Sequence, residues 1–566
     1  MLKKIIFLLI ILINAGGIQA QLKIEWQKCY GGTKRDKIED FVIPTSDGGF
    51  ILNVKSSSND GDITGNHGEK DVCLLKLDKN GKIEWQKSYG GTQSDFLNSL
   101  IQTSDGGYIF SATTSSNDGD VKGHNGGGSD QDSWIVKIDA KGSILWQKCF
   151  GDISLDASNQ IVEAFDNGYI ASVFFTKITS QGEVRANQLI KINKLGEIEW
   201  QKEIKCDKII KTSDGNYFIC SESNWPEIGD INYMKINQQG EILWEKKIGG
   251  SADDFARDVH QTSDGGCVIT GVTFSNDGDV SGNHGNGDIW MVKLNSNGNI
   301  EWQRCIGGSD FDENELTVLS TKDGGYMITT VAYSTDGDFL DHIGDKSGDI
   351  WIAKMNKLGV IEWKKCIGGS GEDNTSTMIQ SSDNNYLIYG MTNSVDGDVT
   401  GFKGGESDIW IVEIDLNGKI QQQKCLGGTN EEGKSRNCLF KTKENYFFVF
   451  GATLSNDKDV SGNHGESDIW VVKLTSKNVT NSLTEISNSK EKPTIYPNPA
   501  NNKLTIQFNQ PIFKISLIDI LGNLVYTNDS GNKEYFLPEN LKSGSYIIKI
   551  DTPLGIIHEN ILINKN

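Results

Sequence analysis

Ser133–Gly151 reads SWIVKIDAKGSILWQKCFG. An apolar run with Trp134 stops at Asp139, a tight turn spans Asp139–Gly142, and a second run carries Trp146. Residues alternate with a period of two inside both runs, which indicates a pair of strands joined by a short turn. Near-copies of this stretch recur along the chain, so the repeat decides the fold.

The second run marks each copy. Its tryptophans are Trp26, Trp85, Trp146, Trp200, Trp244, Trp302 and Trp363, with Gln423 in the eighth place, at intervals of 44 to 61 residues. Each unit contains four apolar runs. In one unit Ser99–Thr103 leads through Ser104-Asp105-Gly106-Gly107 into Tyr108–Thr114. A long polar loop over 115–131 then leads to the quoted pair. Four strands per tandem unit make the blade of a β-propeller. The spacing therefore predicts an all-β chain with an eight-bladed β-propeller over 21–474. The first unit opens with a lone Trp-bearing strand, Leu22–Cys29, and the last ends at Leu474 without one. Pairing the two closes the ring and removes two sheet edges. Of the 13 tryptophans, 12 occupy two fixed strand positions, which assigns them to packing between blades. Trp225 is the exception. It falls in the sector of the shortest units and is a candidate platform for a sugar ring, weighed against covering a shortened loop.

Composition sets limits on partners. The 566 residues carry a net charge of −21, which repels nucleic acid and anionic lipid. Glycine is frequent (64) and proline rare (8), as many turns between short strands require. Residues 1–20 read as a secretory signal peptide. Lys3 and Lys4 precede the apolar Ile5–Ile13, and Ile18-Gln19-Ala20 offers a cleavage site before Gln21. That run is too short to span a membrane, and no other transmembrane segment is expected. Among ten cysteines, Cys29, Cys149, Cys305, Cys366 and Cys425 hold one repeat position and read as small apolar strand residues. Cys206 and Cys220 are left open as a pair.

The blades also resemble a known β-propeller repeat family, through Gly287-Asp288-Ile289-Trp290-Met291-Val292-Lys293-Leu294 and Ile306-Gly307-Gly308-Ser309-Asp310. After a polar linker over 475–492 the pattern changes to a small β-sandwich over 493–566. There Ile495-Tyr496-Pro497-Asn498-Pro499-Ala500, Ile518-Asp519-Ile520-Leu521-Gly522, Leu541-Lys542-Ser543-Gly544-Ser545-Tyr546 and the lysine-bearing end Ile561–Lys565 occur in order. They resemble the motifs of type A C-terminal sorting domains of the type IX secretion system. The resemblance makes Tyr496, Pro497, Asn498, Pro499, Asp519, Gly522, Gly544, Tyr546 and Lys565 the sorting signal. It implies the secretion machinery as a partner, passage to the periplasm, then export to the cell surface or medium. In that family the tail is generally removed.

The long loops carry the candidate chemistry. Asp60, Asp62, Thr64 and Asp71 fall at positions 1, 3, 5 and 12 of an EF-hand-like loop, with Gly65 at 6. Asp277, Asp279, Ser281 and Asp288 repeat the pattern, as do Asp457, Asp459, Ser461 and Asp468. Hard oxygens at alternate positions are calcium chemistry. Against it stand the hydroxyl at position 5, Asp rather than Glu at 12, and the absence of flanking helices. His67, His284 and His464 sit at matching loop positions, where a turn role is expected over a transition metal. No nucleophile elbow, zinc-protease helix or phosphate loop occurs. The expected function is a secreted or surface-displayed binding or adhesion module for an external polysaccharide or protein. A polysaccharide hydrolase or lyase and a structural surface protein are the alternatives, and the reading leans away from an enzyme.

Overall fold

A computed structural model of the chain describes residues 21–124, 130–151, 157–179, 182–222, 229–312, 316–342, 348–382, 384–433, 438–477, 493–508, 511–519, 524–528, 532–539, 541–552 and 555–565. The expected signal peptide, Trp225 and Gly522 fall outside the described residues. The chain divides into two compact units, with the first covering Gln21–Ser476 and the second beginning at Lys477. Among the described residues no helix is long and apolar enough to cross a membrane.

The first unit begins with a strand, β1 (Gln21–Tyr30). Then β2 (Asp36–Pro44), β3 (Phe50–Ser56), β4 (Val72–Leu77) and β5 (Ile83–Tyr89) form one antiparallel sheet in chain order. The same four-strand meander recurs over 95–150, 157–202, 208–248, 254–306, 317–367 and 373–426. The last sheet is built differently. It pairs Glu432–Gly433 and Leu439–Lys441 with Tyr446–Thr453, then Asp468–Lys477, and β1 lies hydrogen-bonded beside Asp468–Lys477. Among the described residues this makes eight propeller-like sheets.

Local chemistry explains each hairpin. In the quoted stretch Asp139 N–H donates to Ser143 O (2.9 Å), and Asp139 Oδ1 accepts from Lys141 and Ser143 N–H (2.8 Å each). Gly142 takes φ +78°, a left-handed conformation that costs a side chain-bearing residue energy. A separate bulge at Leu145, between the pairs Ile138–Ile144 and Lys137–Trp146, shifts the register on the second strand.

Middle strands such as Tyr108–Thr114 and Asp132–Ile138 are buried along their whole length. The outermost strand Ile144–Phe150 is half-buried. Each sheet is therefore covered on both faces in its middle, and period-two alternation gives way there to continuous apolar sequence. In the third unit, paired strands Tyr169–Thr179 and Gly182–Ile192 extend the hairpin where other units carry the Asp-rich loop.

The first strands of successive sheets pack on one another: β2 on Asp95–Gln102, that strand on Ala157–Glu163, and so on through Lys208–Lys211 and Asp254–Gln261. One backbone bond repeats at the seams. Asp95 N–H donates to Lys70 O (2.7 Å), Asp312 to Gly287 O (3.0 Å), Asp373 to Gly348 O (2.8 Å) and Glu432 to Ser407 O (3.0 Å). Asp36 N–H donates to Ser467 O (2.8 Å) by the same geometry, joining the first sheet to the last.

The C-terminal unit has two antiparallel sheets. Thr494–Tyr496, Lys503–Gln507 and Glu534–Phe536 form one, and Leu524–Asn528, Lys514–Ile518, Gly544–Thr552 and Gly555–Ile563 the other. Leu504, Ile506, Ile515, Leu517, Ile548 and Ile550 fill the core between them.

Candidate functional site

Two end-of-sheet features are assembled from the loops that follow the second strands. The first is the Asp-rich loop itself. Asp60 Oδ1 accepts from Thr33 N–H (2.9 Å) and Oδ2 from the Thr33 hydroxyl (2.8 Å). These donors hold the Asp60 carboxyl below its usual range. Asp62 N–H donates to Gly31 O (2.9 Å), so positions 1 and 3 grip the connection entering the sheet. Thr64 meets Gln86, whose amide donates to Thr64 O (2.9 Å). Asp71 turns the other way. Its Oδ2 accepts from the His67 backbone N–H and pairs with His67 Nδ1, both at 2.8 Å.

The other two loops repeat this division. Asp277 accepts from Ser251 N–H (2.7 Å), and Asp457 from Thr429 N–H (2.9 Å) and its hydroxyl (2.8 Å). Asp279 and Asp459 donate backbone N–H to Gly249 O and Gly427 O. Ser281 and Ser461 receive the amides of Gln303 and Gln27. Asp288 and Asp468 pair with His284 and His464 at 2.6 Å. Burial pushes the Asp71, Asp288 and Asp468 carboxyls up. Positions 1, 3, 5 and 12 of each loop thus serve different neighbours. Among the described residues no three His, Cys, Asp or Glu side chains are grouped to hold a metal ion. The three histidines each stay within their own loop.

The second feature is an aromatic step. Phe274 and Phe311 stack with centroids 5.9 Å apart at 21°, and are 39 % and 44 % exposed. Phe255 meets Phe274 edge-on at 6.3 Å, and Arg257 lies over the Phe255 ring at 5.6 Å. Gly287 lies beneath the stack. A Cβ there would come within 2.9 Å of Phe274 and 3.0 Å of Phe311, so only glycine lets both rings close over the backbone. The matching positions in other units hold Ser57, Ser115, Tyr333, Asn393 and Leu454 for Phe274, and Arg35, Ser94, Asp253, Glu372 and Glu431 for Phe311, so no other matched pair is aromatic on both sides. The step is a departure from the repeat, and such departures are the sequence signal that would reveal it.

The repeated tryptophans have two jobs. Trp85, Trp146, Trp302 and Trp363 each donate the indole N–H to a carbonyl of the following unit, Ala140, Lys194, Lys357 and Leu416 respectively, at 2.9–3.1 Å. The buried Trp134, Trp290, Trp410 and Trp470 donate instead to Gln147, Gln303, Gln423 and Gln27 at 2.7–2.9 Å. Gln423 therefore takes the place after the marker tryptophan. Gln422, opposite Glu413 as Trp363 is opposite Lys354, takes the eighth marker place instead of Gln423. None of the ten cysteines is in a disulfide, and Cys206 and Cys220 are buried.

In the C-terminal unit the motif residues knit one end together. Asn498 Oδ1 accepts from Leu562 N–H (2.9 Å), Ala500 N–H donates to Leu562 O (2.8 Å) and Asn564 N–H to Ala500 O (2.8 Å). Lys565 N–H donates to Ser543 Oγ (2.8 Å) and its ammonium to Asn502 Oδ1 (2.9 Å). Tyr546 hydroxyl donates to Lys542 O (2.8 Å). Gly544 opens the strand that carries Tyr546, Asp519 is half-buried, and Tyr496–Pro499 are exposed. Residues 494–564 match the family model of the secretion system C-terminal sorting domain. This unit is a type IX sorting domain. The sorting domain marks the protein for export to the cell surface or medium, and it implies contact with the type IX machinery.

No curated protein matches the chain. Similar solved structures include hydrazine synthase of Kuenenia stuttgartiensis, 13 % identical over 63 % of this chain and 94 % of that one, with a TM-score of 0.37. Sqt1 of Chaetomium thermophilum is 12 % identical over 81 % and 100 %, with a TM-score of 0.40. PorZ of Porphyromonas gingivalis, a surface component of its type IX secretion system, is 10 % identical over 93 % and 92 %, with a TM-score of 0.18. Likenesses at these scores carry no argument about function.

Proposed function

We propose that residues 21–474 form a closed eight-bladed propeller that serves, once exported, as a binding and adhesion module for an extracellular polysaccharide or protein. Two observations support the ring. The first strands pack in series, and the 36–467 bond joins the last sheet to the first as the other seams are joined. One observation carries the binding role. Among the described residues the Phe274–Phe311 stack is an exposed aromatic pair at a single seam; Tyr333 and Leu454 share the Phe274 position, but the Phe311 position holds Glu372 and Arg35 at their seams. Burying such rings on a partner stabilises a complex, and leaving them in water costs solubility. The acidic surroundings (Asp253, Asp277 and Asp310) offer acceptors to sugar hydroxyls and repel polyanions.

The test is retention of the exported protein on a panel of immobilised polysaccharides and surface proteins. The Phe274→Ala/Phe311→Ala variant is expected to lose retention by at least about tenfold, the worth of one buried aromatic contact. Release of soluble oligosaccharide by the unsubstituted protein would replace this reading with a hydrolase or lyase. Equal retention of the variant would move the binding surface elsewhere.

A further inference from the structure

The seams between sheets hold pairs of buried carboxylates that the binding role does not use. Asp71, just before β4, faces Asp95 on the first strand of the next sheet. Asp468 faces Asp36 in the same way, and Asp288 is adjacent to Asp312. A Cβ built on Gly90 would lie 2.8 Å from Asp71 Oδ1 and 2.4 Å from Asp95 Oδ2. On Gly31 it would lie 2.5 Å from Asp468 Oδ1 and 2.8 Å from Asp36 Oδ2. Two carboxylate oxygens of opposite sheets thus flank one point, and the glycine leaves it free of side chain.

One oxygen of each pair has no donor. Asp71 Oδ1, Asp288 Oδ1 and Asp468 Oδ1 are buried without a hydrogen-bond partner. The Asp71 side chain is 2 % exposed, and Asp288 and Asp468 are fully buried. The other oxygens are wired as anions. Asp95 Oδ2 accepts from Gly91 N–H (3.0 Å) and the Ser116 hydroxyl (2.9 Å), while its Oδ1 accepts from the Thr114 hydroxyl. Asp71 Oδ2 takes both His67 donors. The open Oδ1, facing the acid of the next sheet, is therefore the one place left for a proton or a cation. A cavity of about 30 Å³ adjoins Asp71 and Asp95, and Ser58, Asn66 and Ser88 help to line it. Its two lysines are engaged elsewhere: Lys70 lies over the Phe96 ring (5.1 Å) and Lys55 pairs with Glu39 (3.1 Å).

We propose that the Asp71/Asp95 seam, and by repetition the Asp468/Asp36 and Asp288/Asp312 seams, each bind one hard divalent cation of the calcium class between adjacent sheets. Two carboxylates balance its charge, and hydroxyl, amide and water oxygens complete a shell that calcium accepts in variable geometry. The site differs from a loop-enclosed one. It keeps position 12 of the loop, discards positions 1 and 3, and recruits an acid from the next sheet. Bound cations would then act as rivets along the ring.

Calorimetric titration of chelator-treated exported protein with calcium chloride, at neutral pH, tests this. Expected are one bound equivalent per seam and a higher thermal midpoint with calcium. Asp71→Asn and Asp95→Asn should each remove one equivalent, and Asp62→Asn none. Circular dichroism checks that each variant folds, and Asp312→Asn repeats the test at an independent seam. Absence of bound calcium in the unsubstituted protein would overturn the proposal. So would loss of an equivalent in Asp62→Asn with retention in Asp95→Asn, which would place the ion inside the loop.

Discussion

At the scale of single residues, Gln303, which follows the marker Trp302, holds two things at once. Gln303 Oε1 accepts the indole N–H of the buried Trp290 (2.9 Å), and its amide donates to Ser281 Oγ (2.6 Å) and O (3.1 Å). It pins the Asp-rich loop to the sheet and pairs a donor that has no water. Gln303→Ala should therefore cost about 1–3 kcal/mol, because the indole is left buried without an acceptor. Urea unfolding of the variant measures this. A cost below about 0.5 kcal/mol would show that another acceptor takes over. The tryptophans were legible in the sequence through their repetition. The role of Gln303 was not, because its partner lies diagonally across the strand pair, 13 residues away, and only the register reveals it. The same limit applied to the calcium reading. Spacing alone placed Asp60 and Asp71 on one loop, while the backbone sends them to opposite neighbours.

At the scale of elements, the seam is where sheets trade hydrogen bonds and also where they trade charge. One seam departs from the aspartate pairs: Asp408 faces Glu432, and Lys403 stands where other loops carry histidine. Burial, then the Glu432 charge, push the Asp408 carboxyl up to about 7, against the nearby Lys403 and Lys458. The unfolded chain ionises this group near 3.8. Its stabilising contribution is complete below that pH and is lost as pH rises towards 7. One such group is worth up to about 4 kcal/mol over that interval. With chelator present, stability should fall between about pH 4 and pH 7. Asp408→Asn should flatten that fall by up to about 1.4 kcal/mol per pH unit. Denaturant midpoints across the range decide it, and an unchanged slope in the variant would assign the dependence to other seams. The recurring four-stranded sheets and their turns were readable because local periodicity and glycine placement fix them. Seam chemistry was not, since its two halves belong to different repeats.

At the scale of the whole molecule, the last sheet is completed by the first strand of the described chain. Without β1, the edge Asp468–Lys477 would expose unpaired backbone groups, and Trp470 would lose Gln27 (2.7 Å) as its acceptor. Gln27 also donates to Ser461 Oγ (2.6 Å), so the loop of the last sheet depends on a residue 434 positions earlier. A repeat protein of independent units would tolerate loss of one terminal strand. A ring closed by that strand would not, because every seam shares the strain of an open gap and the free edge pairs with other chains. Deletion of residues 21–30 is expected to lower the thermal midpoint by 5 °C or more, the effect of about 5 kcal/mol on a domain this size, and to produce dimers or aggregates in size-exclusion chromatography. Adding the missing ten residues as a separate peptide should restore the monomer, since the groove beside Asp468–Lys477 would accept it as the fourth strand. A deletion variant that stays monomeric with an unchanged midpoint would make the eight sheets an open array, and the 36–467 bond an accidental contact of its ends.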